Sequence, residues 1–346
     1  MPDPSVALQH PATLAIAIVA AAAATTTLLI VWLRPWLVRY AMARPNARSS
    51  HKTPTPQGGG IAVIAATLAV SAVATCMLRD AASPISATLA PVLAATILIA
   101  LLGAVDDIRT LGVAPRLLGQ ILAVALVLAS LPAEFTVTPF LPWWLERALL
   151  LFAGVWFVNL VNFMDGLDWM TVAEVLPVTG GLVLLSAFGA LPAHATILAL
   201  GLFGAILGFA PFNRPVARLF LGDVGSLPIG LLLGYLLLLL AGSGHVAAAL
   251  LLPLYYLADA TLTLLRRMAN GEKVWQAHRS HFYQRATNQG FSVPQVVGRV
   301  FAVNLGLVVL AFVSVWQATW IFQIAALMCG GLLVGGLLMQ FSRSRA

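Results

Sequence analysis

The chain has 346 residues, 60% of them hydrophobic and only 9% charged, with a mean hydropathy of +0.95. A soluble domain carries about 25% charged residues, so this composition excludes one and predicts an all-α, polytopic integral membrane protein. The net charge of +7 does not imply a nucleic-acid partner, because the basic residues are distributed by membrane side. Cys76 and Cys329 both fall inside apolar runs, which excludes a disulfide framework and a cysteine metal site.

Eleven apolar runs follow one another at 12–33, 59–78, 86–105, 115–131, 147–163, 171–190, 195–211, 227–242, 246–265, 297–316 and 318–341. Each approaches the roughly 20 residues that a helix needs to cross a bilayer. The first has no basic segment before it and no small-residue cleavage site after it, so it reads as a retained helix. With the N-terminus periplasmic and the C-terminus cytoplasmic, 17 of the 19 Lys and Arg residues lie on the cytoplasmic side, leaving Arg79 and Arg147 outside. That asymmetry is the positive-inside rule, and it requires an odd number of crossings. No polar stretch is long enough to fold alone. Residues 1–346 therefore read as one membrane domain with cytoplasmic loops at about 34–57, 106–114, 162–170, 211–226 and 266–296. The outside segment 132–146, with Trp143 and Trp144, has the composition of an interfacial segment.

The first cytoplasmic loop runs Arg44-Pro-Asn-Ala-Arg48-Ser-Ser-His51-Lys52-Thr-Pro-Thr-Pro-Gln-Gly58-Gly-Gly60. Its Pro and Gly residues make it non-helical, and Arg48, His51 and Lys52 supply cationic contacts for a phosphate. Asp106 and Asp107 close the third run. Adjacent helical residues point about 100° apart, so one can bind a cation while the other acts as base or orienting group. The fifth run ends in Asn159-Leu-Val-Asn162-Phe-Met-Asp165-Gly-Leu-Asp168. Asn162 and Asp165 are helical neighbours able to converge on one ligand, and Gly166 is expected to break the helix and return Asp168 to the site.

Asn213-Arg214 and Phe220-Leu-Gly-Asp223-Val-Gly-Ser226 follow. Glycines around an Asp let backbone N–H groups approach a phosphate, and Phe220 can stack on a base. Asp259 sits inside an apolar run and reads as a structural ion-pair or packing acid. In the last long loop, His278-Arg279-Ser-His281 with Arg285 suits phosphate better than zinc, because no third ligand lies nearby and the flanks are cationic. Ionisable groups gathered at one membrane face are costly to place there and mark a functional site.

Taken in order, these stretches resemble the polyprenyl-phosphate N-acetylhexosamine-1-phosphate transferase family. The resemblance rests on Pro-Asn-Ala-Arg-Ser-Ser-His with Gly58-Gly59-Gly60, Asp106-Asp107, Asn162-Phe-Met-Asp165-Gly-Leu-Asp168, Phe220-Leu-Gly-Asp223-Val-Gly-Ser226 and His278-Arg-Ser-His281. It implies a multi-pass enzyme of the bacterial cytoplasmic membrane, with its site facing the cytoplasm. Such an enzyme transfers a sugar-1-phosphate from a UDP-sugar to undecaprenyl phosphate, releases UMP and uses Mg²⁺, with Mn²⁺ an alternative. By motif position, Asp223 is a metal ligand, and Asn162 and Asp165 hold the diphosphate–metal assembly. Asp106 and Asp107 serve the lipid phosphate, Asp168 contacts uracil, Phe220 stacks on it and Asn213 lies near the nucleoside. Lys52, His278, Arg279 and His281 bind phosphates.

One departure stands out. The family continues past its second Asp with Gly and a small residue, whereas Trp169-Met170 follow Asp168 here. The His-Arg-Ser-His and triple-glycine forms resemble the branch that starts O-antigen and capsule synthesis more than the peptidoglycan branch. That favours a UDP-linked N-acetylated hexosamine or 6-deoxyhexosamine. A homodimer is left open, and the alternative from another class is a secondary transporter.

Overall fold

A computed structural model describes residues 11–43, 54–78, 85–273 and 278–343. Among the described residues the regular structure is helical, apart from a two-residue antiparallel pair that joins β1 (Met42–Ala43) to β2 (Thr55–Pro56) and an isolated bridge between Gln57 and Phe220. The helices are α1 (Pro11–Tyr40), α2 (Gly59–Met77), α3 (Ile85–Ile108), α4 (Val113–Ala129), α5 (Trp143–Met164), α6 (Met170–Ser186), α7 (Ala193–Phe209), α8 (Asp223–Gly242), α9 (Val246–Leu251), α10 (Leu254–Ala269), α11 (Phe282–Asn288), α12 (Val293–Trp316) and α13 (Trp320–Ser342). The N-terminal loop bearing Arg48, His51 and Lys52 lies outside the described residues.

Among the described residues, seven helices are long and apolar enough to cross a membrane: Ala12–Tyr40, Gly59–Met77, Leu89–Ile108, Trp143–Met164, Asp223–Gly242, Val293–Trp316 and Trp320–Ser342. Three shorter apolar helices, α4, α6 and α7, have 17 residues each. At 1.5 Å per residue such a helix is roughly 26 Å long, just under the hydrocarbon thickness of about 30 Å. The run predicted as one span over 246–265 is instead divided. α9 ends at Leu251, Pro253 supplies no N–H to continue the ladder, and α10 begins at Leu254.

Of those seven, α8 is the most enclosed, with 78% of its most apolar window buried. It packs against α2, α3, α5 and α9, while α12 packs on α6 and α13. Lipid tails are as apolar as leucine, so close backbone approach and polar contacts hold such a bundle. A Cβ on Gly60 would lie 2.2 Å from the Gly225 Cα, and one on Gly103 would lie 2.3 Å from the Asp223 carbonyl oxygen. Those two glycines let α2 and α3 close onto the first turn of α8. Deeper in the bundle, Asn304 of α12 donates from Nδ2 to Glu174 Oε2 at 2.7 Å, tying α12 to α6 through buried groups.

Candidate active site

The close approach at Gly103 brings the end of α3 to the start of α8. Asp107 Oδ1 accepts the Asp223 N–H at 2.9 Å, and Oδ2 accepts the Val224 N–H at 3.0 Å. A helix N-terminus leaves its first N–H groups unpaired and carries partial positive charge, so a carboxylate from another helix satisfies both needs. Gly222, at φ +78°, makes the turn, and a Cβ there would lie 2.6 Å from Asp107 Oδ2. Gln57 Nε2 donates to the Asp107 carbonyl at 3.0 Å, which draws the 54–58 segment in. Asp106 accepts the Leu111 N–H at 2.6 Å and pairs with Arg116 at 3.3 Å, while its carboxyl also meets that of Asp223.

The end of α5 supplies the second wall. Asn162 Nδ2 donates to Asp223 Oδ1 at 2.7 Å and to Ser226 Oγ at 2.8 Å, leaving Oδ1 as its acceptor. The helix stops at Met164, as Gly166 foretold, and Asp165 caps it. The Thr171 hydroxyl donates to Asp165 Oδ1. Burial, reinforced by the carboxylates of Asp223, Asp107 and Asp168, pushes Asp165 up to about 7. Several acids converging without internal neutralisation suit a cation. Among the described residues, no three or more His, Cys, Asp or Glu side chains form a ready-made metal cage. Asp223 and Asn162 therefore fit a Mg²⁺-type ion that takes most of its ligands from phosphate and water, rather than zinc.

Asp168, Asn213 and Phe220, which the resemblance assigns to the nucleoside, are brought to the same end, where each makes a backbone contact. Buried Asp168 accepts the Ala217 N–H on Oδ2 at 2.9 Å, stitching the 211–222 loop to the end of α5. Asn213 accepts the Trp169 N–H on Oδ1 at 2.7 Å and donates to the Leu219 carbonyl at 3.0 Å. The Phe220 N–H meets the Pro56 carbonyl, and its own carbonyl accepts the Gly59 N–H, both at 2.9 Å. Trp169 has φ +63°, the left-handed region that favours glycine. Its indole N–H reaches the Ala210 carbonyl at 2.6 Å, and the ring lies beside Leu207, Pro211 and Pro294. The bulky departure from the family pattern therefore packs against α7 and α12 rather than into the cleft beside Asn162.

The histidine segment is held by Asp259, which is fully buried on α10. Its carboxylate accepts the Phe282 N–H at 3.0 Å and the Tyr283 N–H at 3.1 Å, capping α11. It also accepts the Tyr255 hydroxyl at 3.1 Å and meets His281 Nδ1 at 3.3 Å. The expected structural acid is thus also what orients His281, a role that spacing over 22 residues could not reveal. The His278 and His281 rings stack with centroids 4.8 Å apart. His278 Nδ1 lies 2.8 Å from Ser280 Oγ and 3.4 Å from the Ser280 backbone nitrogen. Burial, then His281 and Arg267, hold His278 down to about 4. Arg267 spans the base of the loop, reaching the Lys273 carbonyl at 3.2 Å and Ser280 Oγ at 3.5 Å. Arg279 is half-buried between the two histidines in sequence.

A cleft of about 680 Å³ reaches Asn162 and the two histidines. Val113, Leu117, Ile121, Leu151, Phe152 and Trp156 make its walls apolar, and Arg116, Asn159, Asn162, His278 and His281 line it with polar groups. Sequence reading passed over Arg116 and Gln57. Their one signal was position, each a polar side chain next to a marked motif.

Comparison with known proteins agrees with this construction. Residues 89–241, which carry every acid of the cluster, match glycosyl transferase family 4. The chain is 25% identical over 312 residues to a probable undecaprenyl-phosphate N-acetylglucosaminyl 1-phosphate transferase of Bacillus subtilis, covering 82% of this chain and 81% of the relative. It is 29% identical over 334 residues to a decaprenyl-phosphate N-acetylglucosaminephosphotransferase of Mycobacterium tuberculosis, covering 86% and 80%. A phospho-N-acetylmuramoyl-pentapeptide-transferase of Enterococcus faecalis is 30% identical over 233 residues, covering 63% and 70%. The acid-bearing core and the length of these matches lead to the same place: the chain belongs to glycosyl transferase family 4, the polyprenyl-phosphate N-acetylhexosamine-1-phosphate transferases.

Proposed function

We propose that the protein transfers a sugar-1-phosphate from a UDP-N-acetylhexosamine-type donor to undecaprenyl phosphate, giving the undecaprenyl-diphospho-sugar and UMP. The observation that carries this reading is the apolar cleft that runs to Asn162, His278 and His281 beside the acid cluster. An isoprenoid tail suits the walls, and a phosphate suits the cationic and imidazole groups at the polar end. Eleven crossings, with the acid cluster facing the cytoplasm where nucleotide-sugars are made, complete the reading. The location is the bacterial inner membrane.

Two phosphates of like charge must meet, so the reaction is governed by neutralisation and alignment. Asp223, with Asn162 beside it, would hold a Mg²⁺ ion, which supplies charge neutralisation at the donor diphosphate. Asp107 fixes the first turn of α8 and so the position of Asp223. Asp106 orients Arg116 at the cleft, Asp165 completes the acidic wall, and Lys52, Arg48, His51, Arg279 and His278 bind phosphate oxygens. Asp168, Asn213 and Phe220 form the nucleoside side. The attacking lipid oxygen displaces UMP from the β-phosphorus, and the sugar's anomeric bond stays intact.

The product fits the first membrane step of O-antigen or capsule synthesis. The Enterococcus faecalis relative supports a second reading, a peptidoglycan lipid-intermediate transferase. Family membership decides against the transporter. Purified protein incubated with undecaprenyl phosphate, Mg²⁺ and a panel of UDP-sugars, including UDP-N-acetylglucosamine and UDP-N-acetylmuramoyl-pentapeptide, is expected to release UMP with one of the N-acetylhexosamine donors. Release only with the pentapeptide donor would transfer the assignment to the second reading. No release with any donor would reject both.

A further inference from the structure

We propose that His281, held by Asp259, is the group that accepts the proton from the lipid phosphate. The inference rests on the transferase reading and names the proton acceptor within it. Its starting point is that the carboxylates nearest the site are already engaged. Asp107 accepts a backbone N–H on each oxygen, and Asp106 accepts the Leu111 N–H and pairs with Arg116. Asp165 accepts the Thr171 hydroxyl, and Asp168 accepts the Ala217 N–H.

The imidazoles differ. Asp259 also accepts the Phe282 and Tyr283 N–H groups, so its carboxylate is an acceptor and His281 Nδ1 must carry the hydrogen between them. In the neutral ring this leaves the lone pair on Nε2, and His281 lines the cleft that Asn162 also lines. For His278 the order is reversed. The Ser280 backbone N–H can only donate, so Nδ1 accepts and the hydrogen sits on Nε2. The stacked pair thus presents one acceptor and one donor, which is what a phosphate bearing a single proton needs.

The charged and titratable groups around His281 are Asp259 and Tyr255 on α10, Arg267 at the end of α10, His278 in the loop and Tyr283 on α11. Only Asp259 is an acid, and it meets the Nδ1 edge of the ring, which turns Nε2 away from it. In the step, the lipid phosphate O–H bond breaks and its proton passes to His281 Nε2. The freed oxygen forms a bond to the donor's β-phosphorus, and the bond from that phosphorus to the bridging oxygen breaks. Its electron pair leaves on the phosphate of UMP. The proton then passes from His281 to water.

A phosphate monoester loses its last proton near pH 6, so the acceptor matters most at low pH. With undecaprenyl phosphate and the UDP-sugar that the wild type uses, the defect of His281→Gln is expected to be within about 3-fold at pH 8.5 and to grow by about 2-fold at pH 6 and ~10-fold at pH 5, following the protonated fraction of the phosphate. Imidazole added to His281→Ala is expected to restore rate at pH 6 and do little at pH 8.5. Asp259→Asn is expected to show the same pH-dependent pattern. Should that variant fail to fold, the two His281 variants decide alone. A defect of equal size at all three pH values, or none, would overturn the proposal, because a binding or structural role does not vanish as the phosphate ionises. Absence of UMP release by the wild type with every donor would overturn the transferase reading and this inference with it. Wild-type release with a pH-independent variant defect would overturn the inference alone.

Discussion

Asp107 and Asp223 look alike in sequence and do different work in the folded chain. Asp107 spends both oxygens on the backbone of α8, whereas Asp223 meets the amide of Asn162, which itself lines the cleft. Asp223→Asn keeps the shape and removes the charge. Turnover is expected to fall by at least ~100-fold, since that side chain carries the proposed electrostatic neutralisation. Membrane insertion and gel-filtration behaviour are expected to match the wild type. UMP release near the wild-type rate would remove Asp223 from the metal role. The membership of the cluster was legible in the chain, because an acid beside an apolar run is expensive and stands out. The partner of each acid was not, because those partners lie far away: Asp107 bonds to a nitrogen 116 positions on. Trp169 shows the same limit, since its bulk departs from the resembled pattern and only the contacts of its ring show where it packs.

Two short helical starts depend on carboxylates borrowed from other helices. Asp107 caps α8 and Asp259 caps α11, and neither helix carries a side-chain cap of its own at that end. Leaving a buried N–H unpaired costs about 1–3 kcal/mol. Asp107→Ala is therefore expected to lower the thermal unfolding midpoint in detergent as well as activity. Surface substitution of Arg218 is expected to leave that midpoint in place. An unchanged midpoint in Asp107→Ala would show that the α8 start is held by glycine packing alone. Most helices were legible from apolar length, yet the 246–265 run was read as one. Hydropathy averages over Pro253, while the backbone cannot continue through it without losing a hydrogen bond.

For the whole molecule, the charge asymmetry makes a directional statement about α8. Arg218 precedes it and Ser243 follows it, and both are exposed. In a background with Cys76 and Cys329 replaced, a membrane-impermeant maleimide is expected to label Arg218→Cys only from the cytoplasmic side. Ser243→Cys is expected to react only from the periplasmic side. Labelling of both positions from one side would refute the orientation. The sequence by itself determined the solvent the chain lives in, the set of acids that the fold gathers, and the family resemblance. Each of these follows from local chemistry, from burial cost and from motif order. Only the tertiary structure decided which carboxylate holds a helix start, which pairs with arginine and which orients an imidazole. Those assignments depend on backbones meeting at Gly60 and Gly103, and no local pattern encodes which N–H a distant carboxylate will reach.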